Sequence, residues 1–462
     1  MDKSKRLFMK CAGQSSAMLM LFAYGGGKLF AANNPISSKT KWDGLLLKDP
    51  KALFDLPKDF SYKVIMSTGD MMTDGLKYGG RPDGMGAFEL KDGSVALVVN
   101  HETKNRDKHL ELSTAYNDSN GRPYSGGTST IVLESDGLTL RRANRSLSGT
   151  IDNCAGGTTP WNTWISCEET YRENHGYAFE VDPEADSLKG FKRLTHMGRF
   201  QREAITVDLN DPKGSVYQTE DDYSGLFYKF VPNKKNNLSG RGKLYALKIP
   251  GVENTSNKDG LIRVGDNFPV EWVRIKDPLA KSDKTKIQGK KVGASIFNGG
   301  EGIIFTNDKD MTTNIFFTCK KGGKAGLGQI WKYSPVNSEI SLFYESDNAS
   351  NLWEGDNINI TPWGDLIICE DNGSNACKLI GCTPNGTLYP LGRVAGNSSS
   401  EIAGICFSPD GKNMYLNIQD RGKTIAVTGD WNKIREYRDE RSEEHTSELQ
   451  SPCNLVCRLL LE

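Results

Sequence analysis

The sequence predicts an all-β protein built as a propeller, and three features carry that prediction. Glycine is abundant, 49 of 462 residues, and much of it stands in Asp-Gly, Asn-Gly and Pro-x-Gly pairs, the punctuation of short strands joined by tight turns. Short apolar runs with period-two patterning recur from about residue 42 to residue 431. So long a series of irregular repeats outgrows an ordinary sandwich or barrel and favours blades around an axis. The propeller domain is accordingly assigned to residues 42–435.

The units are visible one after another. Residues 87–102, AFELKDGSVALVVNHE, give a strand, an Asp92-Gly93 turn and a second apolar strand ending in Asn-His-Glu. Residues 298–308 (NGGEGIIFTND), 361–371 (TPWGDLIICED), 383–391 (TPNGTLYPL) and 407–420 (FSPDGKNMYLNIQD) each set a glycine turn before a short apolar run. Several of these runs stop at carboxylates or amides. The polar, poorly patterned stretch 233–283 reads as an inserted loop or long blade connection. No amphipathic helix of three or more turns is evident in the body of the chain.

The two ends stand apart. Residues 1–31 carry a basic start, a short apolar region and small residues, the layout of an export signal, and the order Ser4-Lys5-Arg6-Leu7-Phe8-Met9-Lys10 is twin-arginine-like with lysine for the first arginine. A periplasmic or secreted protein handled by the export machinery is expected. Residues 441–462, RSEEHTSELQSPCNLVCRLLLE, have no strand periodicity and read as a translated sequencing adapter joined to an incomplete gene, so that the last blade is expected to lack its closing strand.

Composition narrows the function. Lys and Arg number 58, matching 58 Asp and Glu, so no global charge favours nucleic acid. No apolar run reaches the roughly 18–20 residues that span a bilayer, so stable membrane insertion is not expected. Setting the ends aside leaves Cys154, Cys167, Cys319, Cys369, Cys377, Cys382 and Cys406. An odd number leaves a thiol free or otherwise engaged, and Cys377 with Cys382 is a conceivable disulfide. Their spacing is not that of a zinc site.

Carboxylates gather at strand ends: Glu102, Glu168, Glu169, Glu203, Asp221, Asp222, Glu301, Asp356, Glu370, Asp371 and Glu401. An acid abutting an apolar strand is partly buried, and buried carboxylates need cations. With histidines scarce, hard metals are the natural partners: calcium, manganese or ferric iron. A cysteine among the acids suggests one softer or redox-capable ion.

The same residues carry a resemblance. Residues 153–169, NCAGGTTPWNTWISCEE, look like the signature of the PhoX alkaline phosphatases; so do 198–204 (GRFQREA), Glu220-Asp221-Asp222 followed by Tyr228-Lys229-Phe230, and 401–411 (EIAGICFSPDG). The likeness runs in order from about residue 43 to residue 431. It implies a six-bladed β-propeller with a metal cluster of iron and calcium near the central axis. Small phosphate monoesters would be hydrolysed there to inorganic phosphate, without a covalent protein nucleophile. By motif position it implies Cys167 as an iron ligand and Glu203 and Glu301 as catalytic carboxylates that also bind metal. Glu102, Glu168, Asp222, Glu370 and Glu401 complete the metal set. A monomer is expected.

Two departures bear on activity. Where family members often have histidine before the glutamate of the Arg-Phe motif, this chain has Arg202, and where they commonly carry arginine two residues before the equivalent of Glu301 it has Gly299. Arg202 is a candidate to supply the missing phosphate charge, with Arg199 and Arg393 as further candidates. Two other readings of the scaffold stay open: a non-catalytic, metal-stabilised binding propeller, and a calcium-dependent lactonase or esterase.

Overall fold

Six antiparallel sheets radiate from one axis in the computed structural model, which describes residues 45–106, 114–117, 121–307, 313–373, 376–396 and 399–439. Residues 1–31 and 441–462, with the export-signal and adapter readings, lie outside the described residues. Each sheet is a blade whose first four strands lie in chain order outward from the axis, except in blade six, where the fourth comes from the start of the described chain. The innermost strands are Pro82–Glu89, Asn153–Thr158, Arg202–Val207, Gly300–Asn307, Gly355–Ile360 and Ile402–Phe407, for blades one to six in turn. They pack side by side in a closed ring.

Blades one, two and six have four strands, blades three and four have five, and blade five has six. The stretch 233–283 is therefore no simple insertion: it supplies Gly242–Lys248 and Glu271–Ile275 to blade three and Asn267–Pro269 to the edge of blade four. Nor does blade six lack an outer strand. Ser61–Ser67 comes round from the start of the described chain to pair with Lys423–Thr428. Helices are short: a seven-residue helix at Thr285–Lys291 and a last helical stretch at 431–439.

The core is six wedges, one between each pair of neighbouring blades. On the second strand of blade one, Ala96 and Val98 face blade two, where they meet Trp164 and Phe179. Leu97 and Val99 face blade six, where they meet Tyr415 and Ala426. Such a strand is covered on both faces, so its alternation disappears into a continuous apolar run. The seven cysteines of the described residues are all buried and unpaired, so Cys377 and Cys382 form no disulfide.

Candidate metal centre

A β-bulge occurs near the start of every innermost strand. The register slips between Pro82 and Met85, Asn153 and Gly156, Arg202 and Ile205, Gly300 and Ile303, Gly355 and Ile358, and Ala403 and Cys406. A bulge sets two residues against one and re-aims a side chain. The residues it re-aims are Asp83, Cys154, Glu203, Glu301 and Asp356, all buried. Blade six has Gly404 at this place, and Glu401 stands just ahead of its strand. In four of the other five blades the next residue is small (Gly84, Ala155, Ala204, Gly302), because the strands nearly touch there. A Cβ on Gly84 would lie 2.5 Å from Ala155 Cα, and one on Gly302 would lie 2.6 Å from the Ile358 nitrogen.

A second tier comes from the residue that follows the second strand of each blade: Glu102, Glu169, Asp221, Lys320, Asp371 and Gln419. Together the tiers make two overlapping groups whose ligand atoms all lie within 4.8 Å of one another, Cys154 with Glu169 and Glu203, and Glu203 with Glu301 and Asp356. Cys154 Sγ donates to Glu203 Oε2 at 2.7 Å and lies 3.6 Å from Glu169 Oε2. Gln419 Nε2 donates to both Asp83 (2.5 Å) and Glu102 (2.9 Å). Glu301 Oε1 is buried and accepts no hydrogen bond among the described residues.

The cluster is electrostatically strained. Burial, then the neighbouring acids Glu301, Asp356, Glu169 and Asp83, pushes the Glu203 carboxyl well above its ordinary range. Burial and Asp221 do the same to Glu301, against the pull of Lys320, and Glu169, Asp83 and Glu401 move the same way. Asp356, raised chiefly by burial, reaches about 7. So many acids beside one another must either hold protons or hold cations. Oxygen donors with one thiol, among them a buried Glu301 Oε1 that accepts no hydrogen bond and has only the Lys320 ammonium at 3.5 Å, fit multivalent metal ions.

The structure sorts the residues singled out from sequence. It brings Glu203 and Glu301 together at the axis. Glu401 feels Asp371, Asp83 and Asp356 most strongly, and Glu102 flanks Asp83 while paired to Arg81 at 2.7 Å and Lys104 at 3.6 Å. Cys167 is not there: it is fully buried in an apolar wedge with Ile165, Ala178 and Ile205, and burial raises its thiol to about 12. The motif cysteine beside the acids is Cys154. Glu168 is also withdrawn, because its oxygens accept the N–H groups of Ile151 (3.1 Å), Gly176 (2.8 Å) and Tyr177 (3.2 Å), with His175 Nδ1 at 2.6 Å. Glu370 repeats the device in blade five, accepting the N–H of Trp353 (2.8 Å) and of Lys378 (2.9 Å). Both are anchors that tie loops to the end of the second strand.

Asp222 is spent on Ser224, at 2.8 Å from its N–H, and on the Lys286 ammonium, which hold its carboxyl below the usual range against burial. Asp221 is the residue of that pair in the cluster. Arg202 points away from the axis. It is fully buried, donates to Gln218 Oε1 (2.8 Å) and Gly198 O (2.7 Å), and lies over the Phe200 ring at 4.1 Å. It has no free face for phosphate. Arg199 donates to the carbonyls of His175 and Tyr171, and Arg393 pairs with Asp55 at 2.8 Å. The residues missed were Asp83, Cys154 and Lys320. An acid or thiol followed by Gly or Ala at the head of an inner strand (Asp83-Gly84, Cys154-Ala155, Glu203-Ala204, Glu301-Gly302) was the signal available.

Above the acids lies a cavity of about 460 Å³ walled by Glu169, Asp221, Tyr223, Gly299, Lys320 and Asp371, among others. Further along the same inner strands a second cavity, about 270 Å³, is lined by Met85, Ile205, Ile303 and Ile358.

The alkaline phosphatase PhoX family profile matches residues 43–422. Among solved structures, PhoX from Pseudomonas fluorescens, in complex with the transition-state analogue vanadate, is similar at 17% identity with a TM-score of 0.64, over 83% of this chain and 97% of that one. A gluconolactonase from Xanthomonas campestris is similar at 11% identity with a TM-score of 0.41, over 83% of this chain and 93% of that one. No curated protein sequence matches the chain. Covering most of the sequence and agreeing with the ring of six blades, the profile match shows that this chain, a phosphoric ester hydrolase, belongs to the alkaline phosphatase PhoX family.

Proposed function

We propose that the chain hydrolyses small phosphate monoesters at the axial acid cluster, with iron and calcium as the metals. The observation that carries this reading is the shared carboxylate Glu203, which joins the thiol of Cys154 on one side to Glu301 and Asp356 on the other. Cys154, Glu169 and Glu203 suit a ferric ion with a thiolate ligand; Glu301, Asp356 and the surrounding acids suit calcium. Bound there, the metals would supply Lewis-acid charge to the phosphoryl oxygens and activate the attacking water.

The protein's own part is to fix those acids and shape the approach. Five of the six bulges aim ligands inward, and Glu168, Glu220 and Glu370 lock the loops that carry the second tier. Glu220 does so by accepting from the Leu226 N–H at 3.1 Å and the Tyr228 hydroxyl at 2.7 Å. Cys154 is not placed to act as a covalent nucleophile: burial and the neighbouring acids Glu203 and Glu169 push its thiol far above the range where it ionises unaided. That the similar Pseudomonas fluorescens protein binds vanadate as a transition-state analogue supports phosphoryl transfer as the chemistry of this site. A monomer acting in the periplasm or outside the cell, delivered folded by the export machinery, completes the proposal.

The test is metal analysis of purified protein beside hydrolysis of a chromogenic monoester, with and without chelator. Iron and calcium with chelator-sensitive turnover are expected. Calcium alone, or both metals without turnover, overturns the reading.

A further inference from the structure

The second tier of the site contains one inconsistency of charge. Five blades place an acid or an amide after their second strand: Glu102, Glu169, Asp221, Asp371 and Gln419. Blade four places Lys320 there, and its neighbour Lys321 follows into the same cavity. Among the described residues these two are the only cationic side chains lining that cavity. The Lys320 side chain is 17% exposed; its ammonium touches Asp371 and lies 3.5 Å from Glu301 Oε1. Lys321 is 29% exposed and lies 2.5 Å from Glu354 Oε1.

Beside them the wall carries no side chain at Gly299. Gly299 sits in a turn at φ +64°, with its carbonyl accepting the Lys320 N–H at 2.7 Å. A side chain there would begin 3.2 Å from Asp221 Oδ1 and 3.4 Å from Lys320 Cβ. The missing side chain therefore leaves room beside the stems of Lys320 and Lys321, whose Cβ and Cγ it would meet at 3.4 and 3.7 Å, on the wall of the cavity that both lysines line. An ammonium has three donors, and neither lysine has all three engaged by the carboxylates recorded beside it. Arg202, Arg199 and Arg393 are held elsewhere, and Arg81 and Lys104, on Glu102, do not line this cavity, so a dianion descending through it meets these two lysines.

We propose that Lys320 and Lys321 form the phosphate grip of the site, contacting the non-bridging oxygens of the substrate and of product phosphate as it enters over Gly299. This rests on the phosphatase reading. Lysine serves as a point charge for phosphate, so the grip does not demand the planar fit of a guanidinium.

The experiment measures KM and kcat for phenyl phosphate, the inhibition constant of inorganic phosphate, and metal content, for wild type, Lys320→Met, Lys321→Met and Lys321→Arg. Loss of one charge-assisted contact is expected to raise KM and the phosphate inhibition constant about ten-fold or more in each methionine variant. Metal content should hold in Lys321→Met, and Lys321→Arg should recover most of the loss. If wild type turns over phenyl phosphate while both methionine variants keep the wild-type phosphate inhibition constant, the grip is wrong and the phosphatase reading stands. If Lys320→Met loses metal yet its loaded fraction is inhibited by phosphate as wild type is, Lys320 is a counter-ion and its half of the proposal falls. A wild type that holds its metals but neither hydrolyses the ester nor binds phosphate sinks both.

Discussion

Removing Cys154 and Cys167 one at a time separates a metal-site thiol from a packing thiol. The two lie in one motif, yet one touches carboxylates and the other is buried in an apolar wedge, where Arg202 is the cation whose charge it feels. Cys167→Ala deletes one sulfur from a wedge shared with Ile165, Ala178 and Ile205. A methyl-sized void in a packed core costs about 1 kcal/mol, which lowers the melting midpoint of a domain this large by about 2 °C or less. Metal content and turnover should be unchanged. Cys154→Ala removes the donor 2.7 Å from Glu203 and one of three groups in its ligand cluster. Since even outer-shell losses cost 10–100-fold in metal affinity, a drop of about 100-fold or more is expected here. The metal-free protein should lose little stability, because that thiol lies among mutually repelling acids. Metal analysis after dialysis, thermal unfolding with and without chelator, and monoester hydrolysis read all three quantities. Metal lost from Cys167→Ala with its melting midpoint intact, and retained by Cys154→Ala, would refute the assignment.

Other outcomes follow from the same geometry. Arg202→Met strands the acceptors on Gln218 and Gly198, so it should destabilise by about 2–5 kcal/mol while leaving KM for a monoester unchanged in the folded fraction; a raised KM without lost stability would restore Arg202 to the substrate. Glu301→Gln should cut metal content and lower turnover by about 100-fold or more, yet raise the melting midpoint of chelated protein by removing the cost of keeping a buried acid protonated among other acids; a lower chelated midpoint would show that the cluster is not self-repelling. The acids with raised native pKa, Asp356 at about 7 and Glu203 and Glu301 well above their ordinary values, hold protons in the folded state that the unfolded chain gives up near pH 4. Between about pH 4 and pH 7 the stability of metal-free protein should therefore fall as pH rises, and metal addition should release protons and reverse the trend. Denaturant titrations at several pH values, flat or rising without metal, would contradict this.

The fold was legible because strands covered on both faces leave an unmistakable trace, apolar runs such as 95–99 between glycine turns. The outer strands of the segment 233–283 were not, since a strand with one wet face and polar neighbours, such as Gly242–Lys248, looks like loop. The pairing of Ser61–Ser67 with Lys423–Thr428 could not be read either, because nothing local in either strand names a partner so far away. At the site, an acid at a strand end was a sound signal with an ambiguous address. Glu168 and Glu169 are neighbours of the same type, and only the pleat decides that one turns back to backbone N–H groups while the other faces the axis. The same parity separates Glu370 from Asp371. The bulges that deliver Glu203 and Glu301 depend on ring closure and so left only the acid-then-small dipeptide as a trace.

The ladder between Ser61–Ser67 and Lys423–Thr428 also orders events in time. Ser61 and Thr428, whose side chains are 3.3 Å apart, are separated by 367 positions in the chain. During synthesis the first strand must wait, unpaired, until almost all of the protein has emerged, and so non-local a contact makes final closure slow. The axial acids come from every blade, so before closure the cage around a metal is incomplete. Assembly of the cluster is thereby tied to the last event of folding, and a protein trapped short of closure would be an incomplete metal binder as well as a sticky one.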